Sequence, residues 1–159
     1  MPNWIEGTIK LRGKSEDLRR FFIEGLDQSV WFEKDVRPMT DFVRCDFSDG
    51  WSDVSITNEP HIRGTRRAFL GDTIVYWEKD YETIAMPIKQ AWAFFGNEND
   101  IAVWTNISKK FNLDIRLYGF ECGMEFCEEI EIIKGEVTIN NEIKYDDWVW
   151  ECPMPILGG

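Results

Sequence analysis

The side chains best placed to do chemistry are carboxylates. Residues 121–151 hold ten acids (Glu121, Glu125, Glu128, Glu129, Glu131, Glu136, Glu142, Asp146, Asp147 and Glu151) against two bases, Lys134 and Lys144. The chain has a formal net charge of −11, of which this segment carries −8 and residues 1–120 only −3. Carboxylates could work in pairs as general acid and base, or be spaced so as to imitate phosphates before a basic groove. An ordinary solvated sheet face is the plainer reading. Acid–base pairs arise by chance in any acidic protein, and their separation is not legible in a sequence. A strongly negative surface repels nucleic acid and favours basic partners, so the second chemistry is the expectation.

The residues expected to carry it are Glu125, Glu129, Glu131, Glu136, Glu142, Asp146, Asp147, Trp148 and Trp150. Glu125, Glu129 and Glu131 share one parity of a strand expected over 124–133, and so form one exposed row. Trp148 and Trp150 share a parity of an expected last strand, flanked by Asp146, Asp147 and Glu151. Exposed, two indoles inside an acidic rim would make a binding hot spot; facing the helices, they would be core.

A second cluster is basic: His61, Arg63, Arg66 and Arg67 around Gly64. Closely spaced guanidinium groups suit phosphate recognition by paired hydrogen bonds, giving an alternative small-ligand or nucleotide site. Residues 66 and 67 point to opposite faces of a strand, however, and pairing with nearby acids is the simpler use of these bases. Four cysteines (Cys45, Cys122, Cys127, Cys152) are expected to be reduced thiols. Cys122 and Cys127 are separated by four residues, which is loose for zinc, and the only histidine is remote. No Gly-rich phosphate loop, Ser/His/Asp or Cys/His arrangement, or metal motif is recognisable, so neither catalytic residues nor a cofactor or metal are expected.

A chain of 159 residues with 43% apolar and 14% aromatic residues fits one folded domain. No apolar run approaches the ~20 residues of a membrane span and no signal peptide opens the chain, so a cytoplasmic protein is expected.

The elements that position these residues follow from periodicity. Residues 5–12 alternate as a half-buried strand. Ser15 is a plausible N-cap for a helix carrying Leu18, Phe21, Phe22 and Leu26 at helical spacing. Residues 27–62, broken by Pro38, Gly50 and Pro60, read as a partly ordered excursion around short apolar pieces such as Trp31 and Phe32. Residues 66–70 and 73–77 flank Gly71-Asp72 as a hairpin, and a strand follows over 84–94, with Pro87 at its edge or at a bulge. Asn97 caps a helix over 98–111 whose acidic start and basic end suit the helix dipole. Strands over 113–120 and 124–133 follow. Glu128 falls on the apolar parity of the latter, which implies a bulge or an uncovered face. Gly135 turns the chain into 137–139, and Asn140-Asn141 turns it again into a final strand over 143–150. The order is β–α–(excursion)–β–β–β–α–β–β–β.

Three stretches resemble the YubB-type ferredoxin-like domain family of phages and plasmids. They are Met1-Pro2-Asn3-Trp4 with the strand and Ser15-Glu16-Asp17 helix start that follow, Gly64-Thr65-Arg66-Arg67-Ala68, and the run from Gln90-Ala91-Trp92 through Ser108-Lys109-Lys110-Phe111 and Leu113-Asp114-Ile115-Arg116-Leu117-Tyr118 to Gly123-Met124-Glu125-Phe126. Phe94-Phe95 and Arg67 depart from that family's pattern. The resemblance implies a mobile-element origin and one ferredoxin-like domain over 1–159. Its fold would be α+β: a mainly antiparallel sheet with two helices on one face, an irregular insertion at about 27–62 and an added C-terminal β-hairpin region. Charge and resemblance together lead to one expectation. It is a non-enzymatic phage or mobile-element protein whose acidic, nucleic-acid-mimicking surface inhibits a basic nucleic-acid-handling protein of the host, with a defence nuclease complex as the leading candidate. Direct contact with nucleic acid or membrane is not expected. An accessory role in phage DNA metabolism is the remaining alternative.

Overall fold

The computed structural model describes residues 3–27 and 42–159. In chain order the elements are β1 (Trp4–Lys14), α1 (Ser15–Glu24), β2 (Leu26–Asp27), β3 (Val43–Ser48), β4 (Trp51–Ile56), β5 (His61–Ile62), β6 (Ala68–Leu70), β7 (Thr73–Trp77), β8 (Tyr81–Ala91), α2 (Glu98–Phe111), β9 (Asp114–Glu121), β10 (Phe126–Ile133), β11 (Glu136–Ile143) and α3 (Trp148–Glu151). Eight strands form one sheet in the order β11-β10-β9-β1-β8-β6-β5-β2, and three form a second, β3-β4-β7. Every pairing is antiparallel.

This corrects the ferredoxin-like expectation. The insertion expected at about 27–62 instead supplies β3 and β4, which pair with β7 as a second sheet, and β2 and β5, which lengthen the first to eight strands. The second sheet's inner residues Val54, Ile56, Val75 and Trp77 belong to the same core cluster as Ile9, Leu11, Ile115 and Leu117 of the large sheet. The remainder of the expected excursion, with Trp31, Phe32 and Pro38, lies outside the described residues, as do Met1 and Pro2.

The alternation of β1 places Ile5, Ile9 and Leu11 inside, where they meet Leu18, Phe21 and Phe22 of α1 and Trp104, Ile107 and Phe111 of α2. Phe21 meets Phe111 edge-on with ring centroids 5.5 Å apart, a favourable aromatic geometry. The Asn97 side chain accepts the Asn99 and Asp100 N–H groups at the start of α2, and Asn112 closes that helix in the left-handed conformation at φ 53°. At α1 it is Lys14 that stands at the N-cap, without a side-chain cap. Ser15 instead accepts the Trp77 indole N–H at 2.8 Å, joining helix to second sheet.

Four local expectations change. Strands β6 and β7 are not a hairpin: β6 pairs with β5 and β8, β7 with β4, and Gly71-Asp72 carries the chain between sheets. Strand β8 ends at Ala91, and Trp92 turns it with φ 73°. Pro87 is no bulge: it lies within the unbroken β1–β8 register, one residue beyond the last pair of the β6 ladder, Leu70↔Ile88, and its carbonyl accepts the Gly71 N–H. Asn140-Asn141 is no turn but part of β11, and the last segment folds into α3 and an irregular tail.

That tail covers one end of the sheet's outer face. Phe120, Cys127, Trp148 and Cys152 form a second buried cluster, with Tyr118, Ile143, Tyr145 and Leu157 packed against it. The Gly159 N–H donates to the Trp4 carbonyl and the Cys122 thiol to the Gly158 carbonyl, fastening the tail to β1 and to the end of β9.

Candidate functional site

The acidic segment divides into three environments. On the outer face of β10, Glu129 and Glu131 lie beside Arg116 of β9, at 2.5 Å and 3.6 Å, because the register sets Arg116 directly opposite Glu131. Lys10 and Arg12 of β1 continue this face, and Arg12 pairs with Asp114 at 2.8 Å. The row is therefore a mixed-charge surface. Glu125 does not belong to it: β10 begins at Phe126, and Glu125 sits in the preceding turn at φ 56°. Glu136 and Glu142 lie on the edge strand β11, where Glu142 pairs with Lys144 at 3.0 Å.

On the inner face, Glu128 answers the parity puzzle. No bulge occurs there; the ladder shifts between Glu131 and Ile132 instead. Glu128 is buried and accepts the Phe94 N–H at 2.6 Å, so it anchors the turn after β8. Burial pushes its carboxyl up to about 7, helped by the charges of Glu142 and Asp100, and the N–H groups of Phe94 and Phe95 only partly offset this. Gln90 holds the same turn, donating to the Ala93 and Phe94 carbonyls while accepting the Trp104 indole N–H. Glu121, wholly buried, likewise accepts the N–H groups of Gly123 and Met124. These two carboxylates position turns.

The third environment is the C-terminal lobe. Trp148 and Trp150 do not share a face, because the chain here is helical. Trp148 is 5% exposed and donates its indole N–H to the Pro155 carbonyl at 2.9 Å, whereas Trp150 is 86% exposed. Val149 and Ile156 are 75% and 89% exposed, and Met154 is also out. Asp147 caps α3 by accepting the Trp150 N–H, and Glu151 accepts the Asp147 N–H in return, a reciprocal arrangement that fixes the helix start. Among the described residues Asp146, Asp147 and Glu151 stand in no ion pair, so their charge faces solvent beside the apolar side chains. The Cys127 thiol beneath the lobe is pushed up to about 12 by burial and by the Cys152 sulfur beside it, which suppresses the reactive thiolate.

Two members of the basic island are held by neighbouring groups. Arg63 pairs with Asp27 at 2.7 Å, and His61 contacts the carbonyl and hydroxyl of Thr65. Arg66 is exposed and its charge acts on Asp100 of α2, while Arg67 is half-buried on the same stretch.

The chain matches no family model, no curated protein and no solved structure. Its candidate site therefore stands on geometry, and of the expected residues Trp150, Asp146 and Asp147 are the ones brought together and left accessible. Val149, Met154 and Ile156 were not among the expected residues. The run Pro153-Met154-Pro155-Ile156 held the signal: alternate prolines prevent a paired strand, so the residues between them have no sheet to bury them.

Proposed function

We propose that this is a non-enzymatic binding protein that docks its C-terminal lobe on a basic surface of a nucleic-acid-handling protein. The observation that carries the reading is Trp150, which is 86% exposed on a helix whose start is capped by Asp147 and Glu151. An indole held outward costs solvation with no folding gain, and tryptophan is enriched among residues that dominate binding energy. The unpaired carboxylates around it supply long-range attraction to a basic partner and repel nucleic acid from the same place. No described helix is long and apolar enough to cross a membrane, in keeping with a partner met in solution. The narrower version, a mobile-element protein acting in the host cytoplasm against a defence complex, rests on the sequence resemblance alone.

The test is capture from a bacterial lysate with the immobilised chain, alongside Trp150→Ala and Asp146→Asn/Glu151→Gln variants. The wild type should retain a basic protein that heparin displaces. Trp150→Ala should weaken capture by roughly 30-fold, the scale of a hot-spot truncation, and the charge variant should weaken it mainly at low salt. Retention of no basic protein, or capture indifferent to Trp150, overturns the proposal.

A further inference from the structure

Beneath the C-terminal lobe two thiols meet. Cys127 stands on the outer face of β10, and Cys152 follows α3 at the point where the helix gives way to the tail. Both are free, both are buried, and both belong to the cluster that holds Phe120 and Trp148. Their side chains are hydrogen-bonded to one another. Tyr118 and Tyr145 pack against the same cluster, and each phenol feels both sulfurs. A disulfide needs its two cysteines this close. The other two thiols are placed differently: Cys122 donates to the Gly158 carbonyl at 2.8 Å, and Cys45 lies on β3 of the second sheet.

The members of the pair differ in access. Cys127 is wholly buried in a strand that is paired on both sides, by β9 and by β11. Cys152 sits between the exposed Glu151 and Pro153, on a segment that pairs with no strand among the described residues. One helical turn and an irregular tail open locally more readily than a ladder does, so Cys152 is the thiol that meets reagents first. Burial keeps Cys127 protonated, which spares it until a reactive sulfur is presented beside it.

We propose that Cys127 and Cys152 form a reversible disulfide that latches the C-terminal lobe to the large sheet, with a small-molecule disulfide of the glutathione type as the oxidant. The Cys152 thiolate attacks one sulfur of the reagent, forming a mixed disulfide and releasing one reagent thiolate. Cys127 then gives up its proton and attacks the Cys152 sulfur. The protein S–S bond forms as the mixed S–S bond breaks, and the second reagent thiolate leaves. Two protein thiols are oxidised and one reagent disulfide is reduced to two thiols, so atoms and electrons balance. The second attack is intramolecular, which offsets the small thiolate fraction of Cys127. The bond closes residues 128–151 into a loop, which restrains the unfolded chain, and it prevents the lobe from parting from β10. The inference holds whatever the lobe binds.

Incubation of the intact, folded protein with oxidised glutathione, followed by alkylation, intact mass and peptide mapping, tests it. The wild type should lose ~2 Da through one disulfide, and mapping should join Cys127 to Cys152. Its thermal midpoint should rise by roughly 5–10 °C and return on addition of dithiothreitol. Cys127→Ser should stop at a glutathione adduct on Cys152, whereas Cys122→Ser should form the bond as the wild type does, with folding of each variant checked by circular dichroism. The proposal is overturned if the folded wild type keeps both thiols reduced, if the bond formed uses Cys122 or Cys45 instead, or if the Cys127–Cys152 bond lowers the midpoint.

Discussion

The outer row of β10 and the C-terminal lobe are both acidic in sequence, yet they present different surfaces. Glu129 and Glu131 share one guanidinium, that of Arg116, across one ladder step and are partly neutralised by it. Asp146, Asp147 and Glu151 have no such neighbour among the described residues, and they surround side chains that the fold leaves uncovered. A run of charge along a chain is thus not a field in space. The field depends on which strand lies alongside, and that is set by register.

The largest expected contrast lies within the lobe. Trp148→Ala removes an indole buried in the second cluster and should cost ~3–5 kcal/mol of stability, as large-to-small core changes do. Trp150→Ala removes an exposed indole and should shift stability by less than ~0.5 kcal/mol. Urea unfolding of the two variants checks this, and equal losses would break the division between covered and uncovered indoles.

Next in size is the inner face of β10. The raised carboxyl of Glu128 means that its neutral form suits the fold. Its stabilising contribution is complete below its ordinary value of 4.5 and is lost as pH rises through about 7. The wild type should therefore lose up to ~3 kcal/mol between those limits from this group. Glu128→Gln keeps an acceptor for the Phe94 N–H but cannot ionise. It should flatten the profile and be the more stable protein at pH 8, as read by urea midpoints at pH 5 and pH 8. A wild-type profile that rises over this range would show that the N–H donors outweigh burial.

The smallest effect sharpens the comparison from the other side. Glu129→Gln and Glu131→Gln each remove one partner of Arg116, whose side chain is 44% exposed. Each should cost no more than ~1 kcal/mol, less at high salt, and neither should alter the capture that depends on Trp150. If capture falls with these two and not with Trp150→Ala, the row on β10 and not the lobe is the contact surface.

Much of the scaffold was legible along the chain. Alternation marked β1 and β9, helical spacing with the Asn97 cap marked α2, and Leu18, Phe21 and Phe22 marked α1. Such signals are local, because a residue's face follows from its neighbours at i+2 or at i+3 and i+4. The second sheet was legible only in part. Strand β7 was expected over 73–77, but paired with β6 as a hairpin, whereas it joins β4 in the other sheet; β3 and β4 lay within the expected excursion, where charged and polar residues break the apolar pattern.

The candidate site was legible in part. Acid density pointed to the last quarter, and Trp150 stood out by type. That Trp148 is core and Trp150 surface was hidden, because strand parity joins two residues that a helix sets about 200° apart, on opposite sides.

By itself, then, the sequence determined the strongly negative charge, the central strands and the two longer helices, since composition and short-range periodicity need no knowledge of distant partners. Only the tertiary structure decided which carboxylates are neutralised, which are buried and which stay bare. Arg116 meets Glu129 and Glu131, Phe94 meets Glu128, and nothing described meets Asp146. Each of these outcomes is a contact between residues far apart in the chain, or the lack of one, and the strength of a charge depends on the dielectric and the partners around it.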